Sequence, residues 1–360
     1  MTQRQQQILQ LIEADPMISQ QKIADTLGIT RSSVAVHIST LMKMGHIVGK
    51  GYVIRDGNYV AVVGGVNVDI CGRSLQPLVD ADSNPGVVTT SMGGVGRNIA
   101  HNMCQMGLEV RLLTAYGDDM NGDRVSDSCA KLGIDLRYAQ QIPGGTTSTY
   151  LYLTDPDGEM ALAVSDMGIC EQINREYLAA NLSVLNNAQA VVADANIPED
   201  ALVYLAENCT APLFVDPVST AKAKKLPPIL NRIHTLKPNQ LEAELLTGIK
   251  IESKEDVEKA AQKLLDMGVG RVFITRGAEG VYAATKEDGC LWHPIIPGEM
   301  VNTTGCGDSF IAALVWAWLE GLDLKQTAKA GLAASSITME STQTINPILS
   351  ADTLKQRMDK

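Results

Sequence analysis

The chain has 360 residues, 45% of them hydrophobic, a net charge of −11 and a pI near 5.0. That length fits one large domain with a small one beside it, and the acidic balance excludes a protein that coats nucleic acid by bulk charge. No apolar run reaches the roughly 18 residues of a membrane span, and the polar start MTQRQQQILQ does not read as a secretory leader.

Residues 1–56 read as a module of their own. Ile8, Leu9, Leu11 and Ile12 give a first helix an apolar face, and Asp15-Pro16 stops it because proline cannot continue the hydrogen-bond ladder. Ser19 is placed to cap a second helix, QQKIADTL, which Gly28 ends. Thr30 is placed to cap a third, from Arg31 to Lys43, with Val34, Ile38 and Leu41 inward. The following MGHIVGKGYVIR holds two short β-prone runs about Gly49-Lys50-Gly51, and the whole resembles a winged helix-turn-helix. Six Lys/Arg against three Asp/Glu give residues 1–55 a charge of +3, and the remainder carries −14. Arg31, Ser32, Ser33 and His37 lie where such a helix meets base edges, and Lys43, Lys50 and Arg55 are available to phosphates. The expected partner is operator DNA, bound by a homodimer through two half-sites; a three-helix protein-contact module is the alternative.

A turn-type linker, Asp56-Gly57-Asn58, precedes the β-branched run YVAVVGGVNVDI, which reads as a buried parallel strand closed by Gly64-Gly65. Strand-like runs recur at VRLLTAYG, QAVVADAN, PLFVDP, IHTLKP and RVFITRG between helical segments, the pattern of an α/β sandwich around a mainly parallel sheet. Ligands of such sheets bind at strand C-termini. There Asn67 and Asp69, two apart on extended chain, point the same way; they can grip adjacent hydroxyls or form a turn. Gly93-Gly94-Val95-Gly96-Arg97-Asn98-Ile99-Ala100 lacks the Gly-x-Gly-x-x-Gly spacing and stands too far from the first strand for a dinucleotide fingerprint. Two segments, about 70–92 and 146–165, interrupt the rhythm and are expected to form a small second sheet, with STYLYLTD and EMALAVSD as a hairpin around Pro156-Asp157-Gly158.

Further on, Lys237-Pro238-Asn239-Gln240-Leu241-Glu242 follows a strand and opens a helix. The oxygens of Asn239 and Glu242 suit magnesium, and Asn239 equally suits a helix cap. Thr275-Arg276-Gly277-Ala278-Glu279-Gly280 is a turn after the next strand, and no Walker A sequence exists in the chain. Asn302-Thr303-Thr304-Gly305-Cys306-Gly307-Asp308 then stands at the head of the apolar run beginning SFIAALVWAWL. A tight turn with free amides at a helix N-terminus is an anion site. Asp308 at its mouth is either an N-cap or a base that takes a proton from an attacking hydroxyl. The seven cysteines, at 71, 104, 129, 170, 209, 290 and 306, form no Cys-x-x-Cys pair and read as free thiols of a reducing cytoplasm.

Four of these segments resemble, in order, the signatures of the ribokinase (PfkB) family of carbohydrate and nucleoside kinases. They are Gly-Gly-x-x-x-Asn-x-Ala at 93–100, Asn-x-x-Glu at 239–242, Thr-x-Gly-x-x-Gly at 275–280, and a variant of Asp-Thr-x-Gly-Ala-Gly-Asp at 302–308. The resemblance implies a ribokinase-like kinase domain over 57–360 whose second sheet is a lid over the sugar and the dimer contact. It implies Asp308 as catalytic base with Gly305, Cys306 and Gly307 as anion hole, and Asn67, Asp69, Gly93, Gly94 and Asn98 as the sugar pocket. ATP would meet Lys237, Asn239, Thr275, Gly277 and Gly280, with adenine against the helix from Lys325 to Ser336 and Mg²⁺ held by Asn239 and Glu242 through water. Cys306 stands for the usual Ala and Asn302 for the usual Asp, and the latter puts the family's monovalent-cation (K⁺) site in question. The segments ADSNPG (81–86), VDPVS (215–219), IHTLKPNQLEAE (233–244) and INP (345–347) most resemble the branch of the family that phosphorylates pseudouridine at its 5′-hydroxyl. Another acceptor (uridine, inosine, ribose, fructose) is the alternative, as is a regulator that uses the kinase-like domain only to sense a nucleoside.

Overall fold

The computed structural model describes residues 1–15, 18–44, 46–47 and 57–359, and the chain forms two compact units, Met1–Asn58 and Tyr59–Lys360. In the first, α1 (Gln3–Ala14), α2 (Gln20–Leu27) and α3 (Arg31–Lys43) enclose Ile8, Ile12, Ile23, Val34, Ile38 and Leu41. Ser19 and Thr30 accept from the amides of Lys22 and Ser33, and Gly28 ends α2 with φ 63°, a left-handed turn that favours glycine. The caps and the inward face are those the sequence predicts. The wing expected over 44–55 lies, apart from Met44, His46 and Ile47, outside the described residues, as do Lys50 and Arg55.

The second unit opens with β1 (Tyr59–Val63), β2 (Asn67–Ser74) and β3 (Gly86–Gly93), followed by α4 (Val95–Gln105). Next come β4 (Glu109–Leu113), β5 (Ala115–Gly117), α5 (Met120–Lys131), β6 (Gln140–Ile142), β7 (Thr149–Thr154) and β8 (Met160–Asp166). The centre holds α6 (Arg175–Ala180), α7 (Leu182–Asn187), β9 (Ala190–Asp194), α8 (Glu199–Asn208), β10 (Leu213–Asp216) and α9 (Thr220–Ala223). After β11 (Thr235–Leu236), α10 (Gln240–Thr247) and α11 (Lys254–Asp266) come β12 (Arg271–Thr275), β13 (Val281–Thr285) and β14 (Gly289–His293). The chain closes with α12 (Cys306–Leu319), α13 (Leu324–Thr338) and α14 (Ala351–Met358).

Eight strands form one sheet in the order β4-β1-β9-β10-β11-β12-β13-β14, parallel as far as β12 and antiparallel at the last two. Every residue of β1, β9 and β10 is buried, because helices cover both faces. Val60 and Val62 join the core under α4, α12 and α13, whereas Ala61 and Val63 join the core under α8 and α11. A second sheet, β3-β2-β7-β8, is the predicted lid.

Gly64-Gly65 closes the first strand as expected, but Asn67 and Asp69, placed at its end, instead begin a strand of another sheet, and VRLLTAYG, expected as one strand, is two. YVAVVGGVNVDI breaks at Gly64-Gly65, so β1 stays in the main sheet while Asn67 and Asp69 start the lid. A Cβ on Gly64 would run into the Asp194 carboxylate, so the chain can turn there only without a side chain. VRLLTAYG likewise divides into β4 and β5, and β5 pairs with β6 outside the main sheet.

Candidate active site

The parallel strands deliver their C-termini to one edge, where charge collects. Asp194 ends β9 and Asp216 ends β10, side by side in register, and Lys237 follows β11. Lys237 Nζ lies 3.2 Å from Asp216 Oδ2, both side chains being under 10% exposed. Burial works against the ammonium, but Asp216 and Glu242 outweigh it, so the Lys237 pKa is raised and the charge is permanent. Nζ also stands 3.2 Å from where a Cβ on Gly307 would sit, which puts it against the turn before α12.

That turn depends on Gly305, whose φ of 85° and contact with the Thr344 carbonyl exclude any Cβ. Among the described residues, the amides of Gly305, Gly307 and Asp308 donate to no backbone carbonyl. Cys306 departs from the expected trio, because its N–H reaches the Thr303 carbonyl at 3.3 Å. Its thiol donates to the Ser335 carbonyl, and burial, then the charge of Asp308, push its pKa up to about 11, so it is no nucleophile at neutral pH. Asp308, in the first turn of α12, is half-buried and accepts from Asn98 Nδ2 at 2.9 Å. Burial and then the Asp216 charge push its carboxyl up to about 7, against the Asn98 hydrogen bond and Lys237.

Asn98 connects this acid to the predicted sugar pocket. Asn67 Nδ2 donates to Asp69 Oδ1 at 2.6 Å, and both side chains lie over Gly93, where a Cβ would meet Asn67 Nδ2 at 2.8 Å. Gly94, with φ 98°, starts α4 hard against the Gly65–Val66 backbone. Asn98 Oδ1 is buried and makes no hydrogen bond, an acceptor aimed at nothing in the protein. Burial raises the Asp69 pKa, opposed by Asn67 and by the neighbouring Arg97. Asn67, Asp69, Gly93, Gly94, Asn98 and Asp308, six residues from three separate stretches, thus meet at one place.

On the other side of the turn a cavity of about 420 Å³ is bounded by Thr275, Gly277, Gly280, Cys306 and Gly307. Its far wall is apolar, with Leu332 and Met339 from α13 and its C-cap, so the helix expected beside adenine lines this cavity. Ile295, Ile296 and Met300 complete it and were not foreseen; Ile295 and Met300 are 41% and 74% exposed, an apolar signal in a Pro-Gly loop. Asn239 and Glu242 form a capping box at the head of α10, Glu242 N–H to Asn239 Oδ1 at 2.9 Å and Asn239 N–H to Glu242 Oε2 at 2.8 Å. That leaves one Glu242 oxygen uncommitted, beside Asp216. No cluster of three or more His, Cys, Asp or Glu that could hold a metal by itself stands among the described residues; a hydrated divalent cation here would take most of its ligands from water and phosphate. Where the family signature has Asp, Asn302 Oδ1 accepts from the Thr304 N–H at 2.9 Å and Nδ2 donates to the Thr342 carbonyl at 3.3 Å, so this side chain brings no formal negative charge to that position.

In the first unit Arg31 and Ser32 are exposed, and Ser33 and His37 are half-buried. Val36, 65% exposed on the same helix, is an outward apolar residue not named among the expected contacts.

Residues 58–351 match the profile of the pfkB family carbohydrate kinases, and residues 1–48 that of a winged helix-turn-helix DNA-binding domain. The chain is 38% identical over 356 residues to the Escherichia coli protein named uncharacterized sugar kinase YeiI, spanning 98% of each. It is 39% identical over 298 residues to the Escherichia coli pseudouridine kinase, covering 82% of this chain and 95% of that protein. A carbohydrate kinase from Agrobacterium tumefaciens superposes with a TM-score of 0.74 at 28% identity, over 84% of this chain and 97% of that one. The chain therefore belongs to the pfkB family of carbohydrate kinases, phosphotransferases that act on an alcohol group, and carries a winged helix-turn-helix ahead of its kinase fold.

Proposed function

We propose that the chain transfers the γ-phosphoryl group of ATP to the 5′-hydroxyl of a nucleoside, with pseudouridine as acceptor. The observation that carries this reading is the 2.9 Å hydrogen bond from Asn98 to Asp308, which ties the sugar pocket to the one acid at the anion turn. The pseudouridine kinase relative supports the choice of acceptor.

Asn67, Asp69 and the free Asn98 oxygen hold the ribose hydroxyls and aim the primary alcohol at Asp308. Asp308 takes the hydroxyl proton while the oxygen bonds to the γ-phosphorus and the bond to the β–γ bridging oxygen breaks, releasing ADP. The amides of Gly305 and Gly307, with Lys237 fixed by Asp216, offset the charge that spreads over the transferring group. Asn239 and Glu242 would hold a hydrated Mg²⁺, which when bound neutralises phosphate charge. Thr275, Gly277 and Gly280 flank the phosphates and the apolar cavity takes the adenine.

Residues 1–56 bind operator DNA through Arg31, Ser32, Ser33 and His37, and Val36 adds an apolar contact of the kind a thymine methyl makes. The chain acts as a homodimer in the cytoplasm, where its seven cysteines, none of them in a disulfide, stay reduced. The deciding experiment incubates the full chain and ATP-Mg²⁺ with pseudouridine, uridine, inosine, adenosine, ribose and fructose, in KCl and again in NaCl. Phosphorylated pseudouridine in large excess over the rest, at equal rates in both salts, is expected. Phosphorylation of ribose or fructose with no nucleoside product overturns the reading.

A further inference from the structure

The sugar pocket accounts for ribose hydroxyls and leaves the base without a partner, but Asp69 has neighbours on the lid. Asp69 pairs in register with Tyr150, and Cys71 with Tyr152, across the parallel β2–β7 ladder. Side chains aligned this way share a sheet face, and adjacent strands stand about 4.8 Å apart. One face therefore carries Asp69, Cys71, Tyr150 and Tyr152. The two rings lie 5.5 Å apart, tilted by 33°, and are half-buried. Next to them on β3, Ser91 pairs with Asp69, which adds a hydroxyl at the same level. The opposite face is apolar and exposed at Leu151, Leu153, Leu162 and Val164, so the aromatic and polar groups are gathered on the side that holds the sugar ligand Asp69.

Resting on the nucleoside-kinase reading, we propose that Tyr150 and Tyr152 form the platform on which the nucleobase stacks, with Ser91 at its edge, so that the lid selects a nucleoside over a free sugar. A flat ring on C1′ offers a π-face to tyrosine and a hydrogen-bonding edge to hydroxyls; ribose or fructose offers neither. Burial, and then a hydrogen bond with Cys71, push the Tyr152 phenol up to about 12, so the ring stays neutral.

The test measures kcat/KM for pseudouridine, and the ribose constant as acceptor or competing inhibitor, on full-length wild type, Y150A/Y152A and Y150F/Y152F. The alanine pair is expected to lower kcat/KM for pseudouridine by about 10- to 100-fold, the scale of base–aromatic stacking. The loss should fall in KM, with kcat and the ribose constant within about threefold of wild type, and the phenylalanine pair should recover most of it. Unchanged pseudouridine kinetics overturn the platform. So does an equal loss for pseudouridine and ribose, which would make the tyrosines supports of the lid. A wild type that phosphorylates no nucleoside refutes the proposed function itself, an outcome visible before any variant is made.

Discussion

Asp308 shows how one side chain is tuned by its place. A carboxyl at about 7 is half-ionised near neutrality, where a general base is most effective, and burial is the largest cause. The active form is the carboxylate, so kcat/KM of the free enzyme should rise with pH and level off above about 7. Two units below that pKa, at pH 5, the loss should be about 100-fold. The stability has the opposite sign: the folded state holds its proton more tightly than the unfolded chain, so the cost is absent below about pH 4 and complete above about pH 7. Asp308→Asn should therefore lower turnover by 10² or more, abolish the pH step, and raise the melting temperature at pH 8. A variant that keeps the wild-type pH profile would remove Asp308 from the proton transfer. Lys237 belongs to the same balance, since its ammonium is the only fixed positive charge the structure places against the Gly307 turn among the described residues.

At the level of elements, α12 starts where it does because Gly305 can take φ 85° against the Thr344 carbonyl. Gly305→Ala would have to move either the turn or the 341–346 segment, at a cost of roughly 1–3 kcal/mol and with the free amides displaced. Activity is expected to fall by at least 10² while the nucleoside Kd stays within a few-fold, as calorimetry can read; full activity in G305A would show that the turn's amides do not face the phosphate. This turn was legible in the sequence because glycine, glycine and aspartate before a long apolar helix have few other uses. The glycine pair at 64–65 marked where the first strand closes, but not that the chain beyond it joins another sheet. A β-branched run has no periodicity to mark that hand-over, and the Asp194 carboxylate that excludes a side chain at Gly64 lies 130 residues further on. The Asn98–Asp308 bond spans 210 residues and was legible only as two motifs with separate roles. Lys237 came as a neighbour of a motif; its pairing with Asp216 depends on strand register, which no local pattern states.

For the molecule as a whole, the +3 charge of residues 1–55 is too small to hold DNA alone, and a recognition helix gains specificity when a second copy occupies a second half-site. In the proposed homodimer the outer face of the lid, where Val88, Leu151, Leu153, Leu162 and Val164 are 39–70% exposed, would meet the second copy, since monomers seldom leave so continuous an apolar strip in water. Dimerisation and DNA binding should then be linked through mass action. Leu162→Gln/Val164→Gln, neutral changes that leave the DNA electrostatics untouched, should sediment as monomer where wild type sediments as dimer. They should weaken operator binding at least 10-fold and reduce the slope of log K against log salt, because one protomer in place of two neutralises fewer phosphates. Wild type that remains monomeric at micromolar concentration and still shifts its operator would separate the two properties, leaving the apolar strip without a role in recognition.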